Sequence, residues 1–160
     1  MYITTKLSQY IHLISSYSDV SSTSLRIANS ICQLLLADDF CFTFDNPSYL
    51  FFKSQLDRLY TVLLQLEDYV LHINSMSSAI IHELLSNSFY FSLSEQVQCL
   101  SHMLSSDLLC KQSFFDKLNS RYPLTRHQAL MLLNCWAIRP LASNTEVQGL
   151  IEAITNSGVV

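Results

Sequence analysis

Five histidines, His12, His72, His82, His102 and His127, are the residues of this 160-residue chain most suited to acid–base or metal chemistry, since imidazole titrates near neutrality and ligates transition metals. None has a second ligand four residues on, and none stands in a carboxylate arrangement that would make an acid–base pair. His82 and Glu83 begin the pattern of a zinc protease, but the second histidine of that pattern is replaced by Ser86. Serines are abundant. Yet with two glycines in the whole chain, there is neither a glycine-flanked nucleophile turn nor a glycine-rich phosphate loop. The expectation is a chain with no catalytic, cofactor-binding or metal site.

The five cysteines, Cys32, Cys41, Cys99, Cys110 and Cys135, are odd in number and lack both a Cys-x-x-Cys pair and a histidine at zinc spacing. Most fall within apolar runs, so they read as buried thiols in a reducing compartment. The N-terminal residues 1–14 mix Thr, Lys, Ser, Gln and His where a secretory signal needs an unbroken apolar core. The apolar runs are too short to cross a bilayer. Nucleus or cytoplasm, with no membrane association, is the expected location.

Charge is scarce: 14% of residues are charged and 49% are hydrophobic, against about 25% charged in an average soluble domain. Neutral hydroxyls and amides are cheaper to desolvate than unpaired ions, which favours a chain held inside a complex. The net charge of −4 divides into −5 over residues 1–106, +3 over 107–140 and −2 beyond. Lys111, Lys117, Arg121, Arg126 and Arg139 make that middle stretch a mild basic island. It is sparser than the footprint of an autonomous nucleic-acid binder, and direct nucleic-acid binding is not expected.

Few glycines and prolines and no sustained alternation of polar and apolar residues predict an all-α, single-domain helical bundle over 1–160, of about seven to eight helices. A first helix is expected at Thr4–Tyr17, and a second, after a serine-rich turn over Ser15–Ser24, at Leu25–Leu36. Asp38–Asn46, with Phe40, Phe42 and Phe44, reads as an extended linker. Asn46 as cap with Pro47 at the first helical position opens a long helix, the spine of the domain, on which Leu56, Leu59, Tyr60, Leu63, Leu66, Tyr69, Val70 and Ile73 recur at helical steps. A break at Ser75–Ser78 precedes a short helix, Ala79–Leu85. Capping boxes at Ser92/Glu95, Thr125/Gln128 and Ser143/Glu146 start helices to Leu104, to about Trp136 and to Thr155, with Leu108–Asn119 lying between the first two.

Adjacent aromatics (Phe51 and Phe52; Phe89, Tyr90 and Phe91; Phe114 and Phe115) cannot all face one core, because neighbours on a helix point about a hundred degrees apart. At least one of each cluster is expected at a second helix layer or at a partner. Trp136, beside Ala137 and Ile138 at a helix end, is the expected interface anchor.

One stretch carries a family likeness. Phe115, Leu118, Asn119, Ser120, Leu124, Thr125, Leu130, Leu132, Leu133, Asn134, Arg139, Pro140, Glu146, Leu150, Ile151 and Glu152 follow an order that resembles the C-terminal helices of the small stalk subunits of eukaryotic RNA polymerases II and III. Cys135–Ile138 stands as an insertion relative to that pattern, and the family's lysine-rich middle is replaced by an apolar helix. The resemblance implies an HRDC-like helical unit over 107–156, a second stalk subunit as partner, and a transcription machine as the assembly. Docking would then fall on Leu130, Leu133, Trp136, Leu150 and Ile151.

The function expected is that of a non-catalytic helical interaction subunit in an obligate nuclear or cytosolic multiprotein assembly. The alternative is a small microbial or viral adaptor or regulator that binds a partner helix or self-associates as a homo-oligomer.

Overall fold

The computed structural model describes residues 3–37, 40, 45–86, 90–119, 125–137, 148–150, 152–153 and 156, with positions 126, 133 and 137 described by backbone alone. These residues form α1 (Ile3–Leu36), α2 (Pro47–Leu84), α3 (Phe91–Leu118) and α4 (Arg126–Ala137), with a further helical turn at 148–150 and no strand among them. At about 1.5 Å per residue, α2 is roughly 57 Å long. The chain is all-α.

Among the described residues α1 to α3 are each longer than the helices expected, and the reason is the same at each missing boundary within them. The serine-rich run Ser15–Ser24 is helical throughout. There Ser22 Oγ donates to the Ser18 carbonyl at 3.1 Å, Thr23 Oγ1 to that of Asp19 at 3.4 Å and Ser24 Oγ to that of Ser21 at 2.6 Å. Hydroxyls that satisfy themselves on the preceding turn leave the helix intact instead of capping a new one. Ser78 does the same to the Asn74 carbonyl at 3.1 Å, and the expected break at Ser75–Ser78 lies inside α2. Ser105 donates to the Ser101 carbonyl at 3.0 Å and so joins Leu104 to Leu108 within α3.

Below this local reason lies a tertiary one. The buried residues of α1 repeat every seven: Leu7, Ile14, Ser21 and Ala28 on one register, Tyr10, Tyr17, Ser24 and Ile31 on the other. On α2 the registers are Phe52, Leu59, Leu66, Ile73 and Ile80, and Leu56, Leu63, Val70, Ser77 and Leu84. On α3, Val97, Leu104, Lys111 and Leu118 interleave with Leu93, Leu100 and Asp107. An unbroken seven-residue repeat keeps one seam facing its neighbours along the whole helix and favours left-handed supercoiling. The serines that resemble turn residues locally are in phase with this seam.

Cross-helix contacts fix the directions. Lys6 of α1 pairs with Glu83 of α2, and Tyr60 of α2 lies 5.9 Å from Phe115 of α3 between ring centroids. Tyr10 and Tyr17 of α1 meet Ser101 and Asp107 of α3, in increasing order on both helices. Cys32 and Ser24 meet Ala129 and Trp136 of α4, in opposite order. The arrangement is an up-down-up-down bundle in which α1 contacts α2 and α4, and α3 contacts the same two. The core cluster runs through all four and takes in Leu150.

Two expected starts are found in place. Asn46 Oδ1 accepts the Ser48 N–H at 2.8 Å with Pro47 opening α2. Thr125 and Gln128 bond reciprocally, each backbone N–H to the other's side-chain oxygen, at 2.9 and 3.1 Å. The Ser92/Glu95 box does not form, because α3 begins at Phe91 and Ser94 Oγ donates to the Phe91 carbonyl at 2.7 Å. Phe40, from the expected linker, packs edge-on against Phe52 at 5.6 Å. Phe42, Phe44, Phe89 and the Ser143/Glu146 box lie outside the described residues.

Trp136 is the chain's one tryptophan, 3% exposed, with its indole N–H donating to Ser24 Oγ at 3.2 Å. Its emission is expected to be blue-shifted. Ser24→Ala, which leaves that N–H without a protein acceptor, should weaken α4 docking by about 1–2 kcal/mol and shift the emission to the red before global unfolding in a urea titration.

Candidate functional site

The residues expected to carry docking divide between the inside and the outside of the bundle. Trp136 packs under Phe114 with ring centroids 6.2 Å apart, and Leu150 is 2% exposed beside Leu100. Both belong to the core: Trp136, expected as an interface anchor for a partner, instead uses its apolar surface to hold α4 to α1 and α3. Leu130 is 44% exposed and has Met131, 53% exposed, next to it. Ile151 and the side chain of Leu133 lie outside the described residues.

The bundle interior holds polar groups that sequence reasoning did not single out. Tyr17 OH donates to Asp107 Oδ2 at 2.5 Å, and Lys111 Nζ donates to the same carboxylate. Asp107 and Lys111 are 4% and 3% exposed. One helical turn separates them, the spacing at which an acid and a base on one helix meet. Seven residues before Tyr17, Tyr10 OH donates to the Val97 carbonyl at 2.9 Å and lies 2.6 Å from Ser101 Oγ. Burial pushes the Tyr10 phenol up to about 12, with hydrogen bonds from Ser101 and Ser77 pulling the other way. Among the described residues no buried side-chain nitrogen or oxygen lacks a partner. The signal for the charged pair was present in the sequence as an Asp and a Lys in phase with Val97, Leu100 and Leu104.

Each group in this column is engaged by another, which suits it to fixing helix register. All five histidines are exposed, and among the described residues no three His, Cys, Asp or Glu side chains are placed to hold a metal. Of the thiols expected to be buried, Cys32 is, Cys110 is partly covered, and Cys99 and Cys135 are exposed. Cys41 lies outside the described residues. The basic island is also reduced: Lys111 is committed to Asp107, and Lys117 sits 5.9 Å over the Phe114 ring. Arg121, Arg139 and the side chain of Arg126 are outside the described residues.

The outer face of α2 carries an extended apolar stripe. Leu50, Tyr60, Leu64 and Leu71 are 56%, 53%, 48% and 63% exposed. At a hundred degrees per residue these four fall within a quarter of a turn, a stripe running about 31 Å from Leu50 to Leu71. Tyr60, expected among the apolar residues recurring along the spine helix, is on this stripe. Phe51 is exposed while Phe52 is buried, and Phe91 is exposed while Tyr90 is half-buried, so the adjacent aromatics do part as helix geometry requires. A shallow groove of about 190 Å³ lies between α3 and residues 149–150, lined by Gln96, Cys99, Leu100, Met103, Gly149 and Leu150.

No described helix is long and apolar enough to cross a membrane. The chain matches no protein-family model, and neither a curated protein nor a solved structure matches it.

Two expectations follow from the buried groups. Tyr10 titrates at 10 when unfolded and at about 12 when folded, so its contribution of about 2–3 kcal/mol is whole below pH 10 and is lost as pH rises to 12. Chemical denaturation should therefore show a steeper loss of stability over that window in the wild type than in Tyr10→Phe; parallel curves would contradict it. Burial likewise raises the Cys32 thiol to about 11. A thiol-specific disulfide reagent at pH 8 should modify Cys99 and Cys135 within minutes and Cys32 only on unfolding.

Proposed function

We propose that this chain is a non-catalytic helical interaction subunit of a nuclear or cytosolic protein assembly, and that the outer stripe of α2 is its docking face. The single observation that carries the reading is the alignment of Leu50, Tyr60, Leu64 and Leu71, all well exposed although Tyr60 also touches Phe115 of α3, along one side of the longest described helix. Isolated exposed leucines are ordinary on a protein surface, but a row spaced by helical repeats matches the contact line of a second helix.

The bordering charges select the kind of helix. Asp57, Glu67 and Asp68 are exposed along the stripe, with Lys53 as the neighbouring cation. A two-fold contact with a second copy would set these carboxylates against their own counterparts, whereas lysines or arginines flanking an apolar seam would complement them. The occupant is therefore a basic amphipathic helix of a partner protein. A stalk-like subunit of a transcription polymerase is the narrower form of this reading, and the motif within residues 115–154 supports it. In that form docking moves from Trp136 and Leu150, which serve the core, to α2 and to Leu130.

A photo-crosslinking residue placed at Leu64 or Leu71 in the full chain, in its native cell, tests this. Both positions should yield adducts to one partner segment with lysine or arginine beside apolar residues at seven-residue spacing, and the same residue at Gln9 on α1 should not. Leu64→Glu with Leu71→Glu should abolish copurification of that partner while changing stability by no more than about 0.5 kcal/mol, since both sites are exposed. Adducts to a second copy, or equal labelling from position 9, would overturn the proposal.

A further inference from the structure

The described cations differ in what they meet. Lys6 is paired with Glu83, Lys111 with Asp107, and Lys117 covers an aromatic ring. Arg26 of α1 and Arg58 of α2 instead line one cleft of about 340 Å³ between those helices, together with Thr23, Ile27, Ser30 and Gln55. Among the described residues neither guanidinium has a carboxylate within 4.0 Å. Arg26 Nη2 donates to Thr23 Oγ1 at 3.2 Å, and Arg58 Nη1 to Gln55 Oε1 at 3.4 Å. Both acceptors are neutral.

Two like charges therefore share one cleft in a chain whose acidic residues outnumber its basic ones, 13 to 9. Asp57 is the residue before Arg58, yet it falls about a hundred degrees around the helix from it, on the side of the outer stripe. Gln55 is 4% exposed, and its carbonyl holds the Arg58 fork at the wall of the cleft. The Ser30 hydroxyl, one turn beyond Arg26 on α1, adds a donor, while the Thr23 hydroxyl, which donates to the Asp19 carbonyl, steadies the Arg26 fork. Ile27 supplies an apolar floor, beside which a charge–charge attraction is screened less than in open water.

We propose that this cleft is a binding site for a phosphate monoester dianion. Two guanidinium forks balance a double negative charge, and a tetrahedral group with three terminal oxygens can accept from both at once, whereas a planar carboxylate is satisfied by one fork. The volume exceeds that of a phosphoryl group alone, so the site admits the first atoms of whatever carries it. A phosphodiester backbone brings one charge per phosphate and fits the pair less well. The site is on a different flank of α2 from the apolar stripe and stands independently of the docking proposal.

The test uses the full chain with ¹⁵N-labelled arginine, following the Nε–H resonances by NMR at constant ionic strength and pH 8. Inorganic phosphate and O-phosphoserine should shift Arg26 and Arg58 together and saturably, at least about fivefold more tightly than acetate or a dinucleotide phosphodiester. Arg26→Gln and Arg58→Gln should each weaken that binding about fivefold or more, whereas Lys53→Gln, outside the cleft, should leave it unchanged. Unaltered Trp136 emission and thermal midpoint show that the variants remain folded. Shifts no larger than those from chloride, binding indifferent to either arginine substitution, or tighter binding of the diester would overturn the proposal.

Discussion

Everything in this bundle depends on keeping three long helices in step along a seven-residue repeat. A straight α-helix drifts about twenty degrees per heptad away from such a repeat. Holding Phe52 through Leu84 against α1 and α3 therefore requires that neither neighbour break its own seam. The requirement explains why serines at Ser21, Ser24, Ser77 and Ser101 are buried at positions that elsewhere hold leucine or isoleucine. Their small side chains allow close approach; the Ser24 hydroxyl bonds to the Ser21 carbonyl and to Trp136, and those of Ser77 and Ser101 bond to Tyr10. The helices continue because the seam continues.

Within that frame the polar groups distinguish one alignment from its neighbours. Apolar side chains pack nearly as well when a helix slides by one heptad, but Tyr17, Asp107 and Lys111 do not. A slip would leave the Asp107–Lys111 pair intact within α3 but would take the Tyr17 hydroxyl away from Asp107 and leave it buried without its acceptor, at a cost of about 1–3 kcal/mol. Tyr10 makes the same demand one heptad away, at Val97 and Ser101. The two contacts use the same pair of helices and both require α1 and α3 to be parallel. They select a topology as well as a register.

How much of this was legible in the sequence depended on how local the governing interaction is. Asn46 with Pro47, and Thr125 with Gln128, act within three residues, and both helix starts were found where they form. The serine runs were misread because hydroxyl chemistry permits a turn and a continuing helix alike, and only the distant neighbours of Ser21, Ser24 and Ser77 decide between them. Trp136 shows the same limit more sharply. Its acceptor, Ser24, lies 112 residues away, so nothing beside it in the chain distinguishes an anchor for a partner from an anchor for its own bundle. On α2, Tyr60 and Leu71 conform to an apolar helix, but whether they face in or out becomes clear only once twelve buried residues mark the opposite side.

The position of α4 bears on how the protein is made. The contacts that close the ring, Cys32 with Ala129 and Ser24 with Trp136, join the first helix to the fourth, whereas the α1–α2 and α2–α3 pairings join segments successive in sequence. During synthesis, α1, α2 and α3 leave the ribosome and can align before residue 136 has been added. Until it is, the flank of α1 bearing Ser24, Ala28 and Cys32 is an open apolar channel on an otherwise assembled bundle. A nascent chain stalled before α4 would present that channel to chaperones, and the quality control of this protein would act on a surface absent from its finished form.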